Sequence, residues 1–143
     1  MDGRNYDFAG ISKVADQLLI TDWEQRSQSF DDECLAGPNS NFYYTIGGIL
    51  AYQDLGLHMN KLLLGVPYYA HDYQCIKYSE NMRCYIKQEN YRGVNCTSNV
   101  AKIVPYNRMH EYVDLGNQFW DEHSSTLVYN YVVRIFRSYV HIS

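Results

Sequence analysis

Residues Lys61 to Cys75 read KLLLGVPYYAHDYQC. Leu62, Leu63 and Leu64 run into Gly65 and Val66 with no alternation of apolar and polar side chains. That pattern belongs to a strand covered on both faces in a parallel sheet. Pro67 has no N–H to give to a ladder and punctuates the run. Two tyrosines, a histidine, an aspartate and a third tyrosine follow. In parallel α/β folds the loops beyond the carboxyl ends of strands gather ligands. Tyr68 to Tyr73 are therefore expected where a strand hands over to a ligand loop.

Upstream, FAGISKVADQ (Phe8 to Gln17) has the apolar spacing of a short helix, and QLLIT, ending at Thr21, has strand length. Trp23 to Tyr44 is polar, contains the turn signal Gly37-Pro38-Asn39-Ser40 and reads as a long loop. YTIGGILAYQDLGL places Ile46, Ile49, Leu50 and Leu57 at helical spacing, with Gly56 as a C-terminal stop. The order helix, strand, helix, strand predicts α/β architecture built on a βαβ unit. Beyond Cys75 the segments RCYIK and TLVYNYV read as short strands, and Tyr106 to Leu115 as a helix opened by Pro105. From Val132, apolar residues at Val132, Ile135, Phe136, Tyr139 and Val140, with Arg134 and Arg137 opposite, predict a terminal amphipathic helix. Residues 1–74, 75–131 and 132–143 are thus expected to be a parallel segment, an α+β subdomain and a helical tail.

The chain of 143 residues has the length of one domain and carries 12 basic against 16 acidic side chains, a net charge of −4. No polybasic run is present, which argues against nucleic acid and anionic membranes as partners. No window approaches the ~18 apolar residues needed to cross a bilayer. MDGRNYDFAG lacks the basic and apolar regions of a signal peptide. Fifteen tyrosines, with five Phe and two Trp, suit a half-wet core or a carbohydrate-facing cleft. Cys34, Cys75, Cys84 and Cys96 fit no zinc spacing, so neither a metal nor a cofactor is expected. They could be reduced thiols or two disulfides in any of three pairings, with Cys75–Cys84, bracketing a short loop, the expected bond. Asn95-Cys96-Thr97 is an N-glycosylation sequon and points to a secretory route.

KLLLGVPYYAHDYQC also resembles the seventh barrel strand of glycoside hydrolase family 18, where a Gly-Val-Pro-aromatic-Tyr-Gly segment is typical. YRGVNC, VPY and FWDEHSSTLVYNY resemble, in order, segments of that family's di-N-acetylchitobiase branch. LLITDWEQRSQ with ECLA looks like its sixth strand and the loop after it. The likeness spans residues 5–131. It implies a fragment of a (β/α)8 TIM barrel, about strands six and seven, with an α+β insertion; a whole barrel needs about 250 residues. An eighth strand is not expected here.

The family cleaves N-acetylglucosamine linkages by substrate-assisted retention, with a glutamic acid ending a D-x-x-D-x-D-x-E motif on strand four. In DGRNYDFA, Asp2, Asn5 and Asp7 have the right offsets, but Ala9 stands in the acid's place. In LITDWEQ, Asp22-Trp23-Glu24 resembles the end of the motif, but Gln17 and Ile20 replace the earlier aspartates. No catalytic residue is therefore assigned, with Glu24 a distant candidate. Aligned through Glu24-Gln25, Asp22 and Trp23 occupy the place of the family's substrate-holding Tyr-Asp pair; shifted by one, Asp22 matches its Asp but Thr21 stands for its Tyr, so the pair is broken either way. Tyr69 matches a family tyrosine and is the expected sugar contact, although Ala70 replaces the usual glycine.

Tyr68 is expected between barrel and insertion, Trp120 in the insertion core and His123 on a solvated turn. His71 and Asp72 should point to opposite faces and lie at the surface. The resemblance implies a partial glycosidase, inactive alone, whose partner is an N-acetylglucosamine oligosaccharide and whose compartment is lysosomal or secreted. The alternatives are a non-catalytic chitin-binding protein and a non-functional fragment.

Overall fold

A computed structural model describes residues 6–30, 33–80, 83–133 and 136–142. Helix α1 (Phe8–Val14) begins at Asp7, whose carboxylate accepts the Gly10 N–H at 2.8 Å. Its far end is closed by the Lys61 ammonium, which donates to the carbonyls of Ser12 and Ala15 at 2.7 and 2.9 Å. Those are carbonyls for which a helix terminus offers no partner of its own.

Strand β1 (Leu18–Thr21) lies parallel to β2 (Leu62–Gly65), with Leu18 opposite Leu62 and Thr21 opposite Gly65. Between them runs α2 (Phe42–Asp54), capped by Asn41, whose side chain accepts from Tyr43 and Tyr44 N–H. Gly56, at φ +81°, turns the chain in the left-handed region just past the helix. The expected βαβ unit is present. Its apolar faces are nonetheless open: no residue of α2 is buried, and Leu19, Leu63 and Leu64 are exposed.

The stretch after Pro67 departs from expectation. Tyr69–Gln74 is not a ligand loop but a strand, β3, of a five-stranded antiparallel sheet. The sheet order is β6 (Lys102–Pro105), β3, β9 (Phe136–Ile142), β8 (Thr126–Val133) and β7 (Gly116–Asp121). The alternation Tyr69, His71, Tyr73 against Ala70, Asp72, Gln74 is the period-2 signal of such a strand. RCYIK contributes only Cys84–Tyr85 (β5), paired with Lys77–Tyr78 (β4). The helix expected over Tyr106 to Leu115 is a 3-10 turn at Tyr106–Arg108 followed by one turn of α-helix, α3 (His110–Val113).

The tail is the larger correction. Phe136–Ile142 is a strand, not a helix; Arg134 and Ile135, also placed on that helix, lie outside the described residues. β9 runs antiparallel to β8 on one side, Val133 opposite Phe136, and to β3 on the other, His71 opposite His141. Phe, Tyr, Val and Ile fit a pleated ladder, and hydrogen bonding on both edges outweighs a helical spacing shared by few residues.

β3 separates two cores. One side holds Cys34, Tyr73, Cys75, Cys84, Ile86, Cys96 and Val128. The other holds Ala70, Val104, Met109, Tyr112, Tyr129 and Tyr131. The first is stapled by Cys34–Cys96 and Cys75–Cys84, each with Cα atoms 5.1 Å apart. Their sequence separations are 62 and 9 residues. Loop-closure entropy assigns about 4 kcal/mol to the long crosslink and about 2.6 kcal/mol to the short one. Urea unfolding should therefore show a larger loss for the Cys34→Ala/Cys96→Ala pair than for Cys75→Ala/Cys84→Ala. The reverse order would mean that strain or local packing, not chain entropy, sets their contributions.

Candidate functional site

β1 and β2 end side by side, and the Asp22 N–H continues their ladder to the Gly65 carbonyl at 3.0 Å. Trp23 lies against Gly65 so closely that a Cβ there would come within 2.8 Å of the indole ring. The glycine thus leaves the room that the half-buried Trp23 occupies beside the strand end.

Asp22 is buried, and both its oxygens are taken by its own loop and the start of α2. It accepts Ser40 Oγ and Thr45 Oγ1 at 2.6 Å each, and the Gln25 side-chain amide as well. Gln25 in turn accepts the N–H of Asn41, the cap of α2, at 2.8 Å. Asp22 therefore braces the long loop on the helix, and its carboxylate is directed at these partners.

Glu24 has φ +57°, a conformation non-glycine residues adopt at a cost. Asn39, completely buried, holds it there: Asn39 Oδ1 accepts the Glu24 N–H at 2.7 Å and Nδ2 donates to the Tyr69 carbonyl at 3.3 Å. The Glu24 carboxylate accepts the Tyr69 hydroxyl on Oε1 at 2.8 Å and Ser98 Oγ on Oε2 at 3.3 Å. His71 Nε2 stands 3.4 Å from Oε1.

Tyr69, His71 and Tyr73 share one face of β3, with ring centroids 5.8 and 5.7 Å apart. The Tyr73 hydroxyl meets His71 Nδ1 at 3.2 Å. When Tyr73 donates there, the ring proton sits on Nε2, facing Glu24. Burial, with the bond to Glu24 adding, pushes the Tyr69 phenol up to about 12, while Asn39 beside it works the other way. Burial likewise raises Tyr73. It lowers His71 below the usual histidine range, against the opposing pull of Glu24.

Asp72 points to the other side, as alternation requires, and accepts the Tyr131 hydroxyl at 2.7 Å and that of Tyr112 at 3.5 Å. Its Oδ1 is buried without a hydrogen-bond partner. Burial raises its pKa, against the bond from Tyr131 and the charge of Lys102. The expected opposite facing of His71 and Asp72 is observed, but His71 is not a surface residue; it is 2% exposed. β3 is an inner strand with a core on each side, so His71 in its middle is enclosed, while Tyr69 at its start stays partly open.

Other expectations also shift. Tyr68 is 72% exposed and stacks edge-on with Tyr106 instead of filling a seam. Trp120 is half exposed on the edge strand β7, outside both cores. His123 lies on an exposed turn, its Nδ1 3.6 Å from Asp121. Asn95 is exposed and Thr97 buried. Among the described residues no group of three or more His, Cys, Asp or Glu could hold a metal ion. The site residues the sequence left unmarked are Asn39, Ser98 and His71 in its buried role. Their partners lie 15 to 74 positions away, and only the turn signal around Asn39 hinted at any of them.

No family model matches the chain. Di-N-acetylchitobiase of Homo sapiens is 30% identical over 133 residues, which cover 92% of this chain and 34% of that protein. The Mus musculus enzyme of the same name gives 30% identity over 92% and 36%. The chain thus spans about a third of the length of the curated relatives it matches. Among solved structures, the class V chitinase of Nicotiana tobaccum aligns with TM-score 0.71 at 13% identity, over 100% of this chain and 41% of that one. A variant of that chitinase is known in complex with NAG4. These chitinases are TIM-barrel proteins, and the likeness shows that this chain has the fold of part of one.

Two buried groups should move stability with pH in opposite senses. The lowered pKa of His71 means the folded state binds fewer protons than the unfolded chain below the ordinary value of 6.5, so stability falls on acidification. His71→Gln should flatten the decline in Tm between about pH 7 and 5. The raised pKa of Asp72 works in reverse: its contribution is present below the ordinary 3.8 and is lost as pH rises through the folded value. Asp72→Asn should gain on the order of 1 kcal/mol at pH 7, an advantage that vanishes toward pH 4. Thermal melts across pH check both; profiles parallel to the parent's would refute these assignments.

Proposed function

We propose that the chain is a chitobiase-like member of glycoside hydrolase family 18 and that it binds N-acetylglucosamine oligosaccharides without cleaving them on its own. The observation that carries this reading is the meeting of Glu24 and Tyr69, with Trp23 against Gly65, at the carboxyl ends of two adjacent parallel strands. Ligands of parallel α/β sheets gather there. In this reading β1 and β2 stand for barrel strands six and seven, and the antiparallel sheet for the insertion. Tyr69 and Trp23 offer ring surface to a sugar, and Asp22 serves binding indirectly by fixing the loop that carries Trp23 and Glu24.

Cleavage needs a carboxylic acid that gives a proton to the leaving oxygen. Glu24 is placed to accept hydrogen bonds from Tyr69 and Ser98, which suits holding hydroxyls and not giving up a proton. A second reading, a structural piece completed by further barrel, is favoured by the exposed apolar side chains of Leu19, Tyr44, Leu50 and Leu63. Two disulfides and the exposed Asn95 favour an oxidising compartment, hence a lysosomal or secreted protein.

Calorimetric titration with chitotetraose tests the binding. The intact chain should bind, release no N-acetylglucosamine, and lose about fivefold in affinity on Tyr69→Ala, as expected for about 1 kcal/mol of ring contact. No heat at any concentration would remove the reading; sugar release would remove its non-catalytic part.

A further inference from the structure

We propose that Glu24 and Tyr69 form an acceptor-only subsite that selects a glucosamine unit with a free amine, within a chitin-type oligosaccharide, over its N-acetylated counterpart. The inference rests on the carbohydrate reading above.

A carboxylate offers about four lone-pair positions. On Oε1 of Glu24 two are met, by the Tyr69 hydroxyl at 2.8 Å and by His71 Nε2 at 3.4 Å. On Oε2 one is met, by Ser98 Oγ at 3.3 Å. One position on Oε2 is left, on a side chain 33% exposed. Among the described residues, the ion-pair contact of Glu24 is with His71. Burial holds His71 toward its neutral form, so the groups in direct contact with this carboxylate are hydroxyls and an imidazole.

Tyr69 is the second element. Its proton is committed to Glu24, so toward a ligand the phenol oxygen accepts and does not donate. The donors nearby are committed as well. Asn39 Nδ2 serves the Tyr69 carbonyl and also stands by the Tyr69 hydroxyl, whose second lone pair remains, and Ser40, Thr45 and the Gln25 amide serve Asp22. An acetamide seated at Glu24 would offer a single uncharged N–H and would bring its carbonyl, an acceptor, toward the same acceptor oxygens. A protonated amine presents three donors and a positive charge, enough to bridge Oε2 and the phenol oxygen. The polarity of the site therefore favours the deacetylated sugar at this one position, while neighbouring units remain free to be acetylated.

The test titrates the intact chain at pH 6 with chitotetraose and with its fully deacetylated tetramer. The deacetylated tetramer should bind about tenfold more tightly, as a charge-assisted hydrogen bond provides. Glu24→Gln, which keeps the shape and removes the charge, should bring the two affinities together. Tyr69→Phe, which keeps the ring and removes the acceptor, should reduce the preference even if the first variant folds poorly. Glu89→Gln, an exposed carboxylate outside the site, should leave it unchanged. Equal or tighter binding of the acetylated tetramer by the parent would overturn this inference and leave the carbohydrate reading intact. Binding of neither would overturn both. A preference that survives Glu24→Gln would trace to attraction of a polycation by a chain of net charge −4 and would overturn the subsite.

Discussion

The hydrogen bond from Tyr69 to Glu24 joins the two parts of this molecule. Glu24 follows the first parallel strand; Tyr69 opens the antiparallel sheet. Between them stands Asn39, buried, with one end of its amide on the Glu24 N–H and the other on the Tyr69 carbonyl. The start of α2 adds to this seam: the Phe42 N–H donates to the Ser124 carbonyl at 3.0 Å and Asn41 Nδ2 to that of His123 at 3.3 Å, both on the turn between β7 and β8. The seam also explains the left-handed backbone of Glu24, which three partners on three separate segments over-determine. Strain of this kind persists where surroundings fix it and collects at sites with work to do.

The parts of the fold readable in the sequence are those whose residues answer to their immediate neighbours. Leu18 to Thr21 and Leu62 to Gly65 are unbroken apolar runs, and both are parallel strands. Gly56 ends a helix because a positive φ is local chemistry. Tyr69 to Gln74 was harder, because a stretch rich in Tyr, His and Asp resembles a loop until its alternation is weighed above its polarity. The tail misled for a related reason. Its apolar spacing satisfies a helix, while its place in the sheet is set by β3 and β8, the former more than sixty residues away.

The site shows the same division. Tyr69 carried a recognisable neighbourhood, and Trp23 and Glu24 were singled out beside it. The resemblance implies a ligand contact at Asp22, while its burial and its hydroxyl partners suit a brace. His71 offered no sign that it would be enclosed between Glu24 and Tyr73, since adjacency to Asp72 said only that the two would part company across the sheet. Long-range partnerships of this sort are properties of the fold, and a single sequence carries no local mark of them.

The position of β9 has a bearing on how the chain comes into being. It is the last of the described strands in sequence and a middle strand in space, lying between β3 and β8. During synthesis, β3 emerges some sixty residues before the strand that covers its second edge. Until then it can pair with β6 alone, and β8 with β7 alone, so two open ladders face each other across a gap one strand wide. Open ladders recruit whatever strand comes first. Completion of the sheet therefore waits until β9 has emerged, and the interval before it is when the two open ladders are most exposed to wrong pairing.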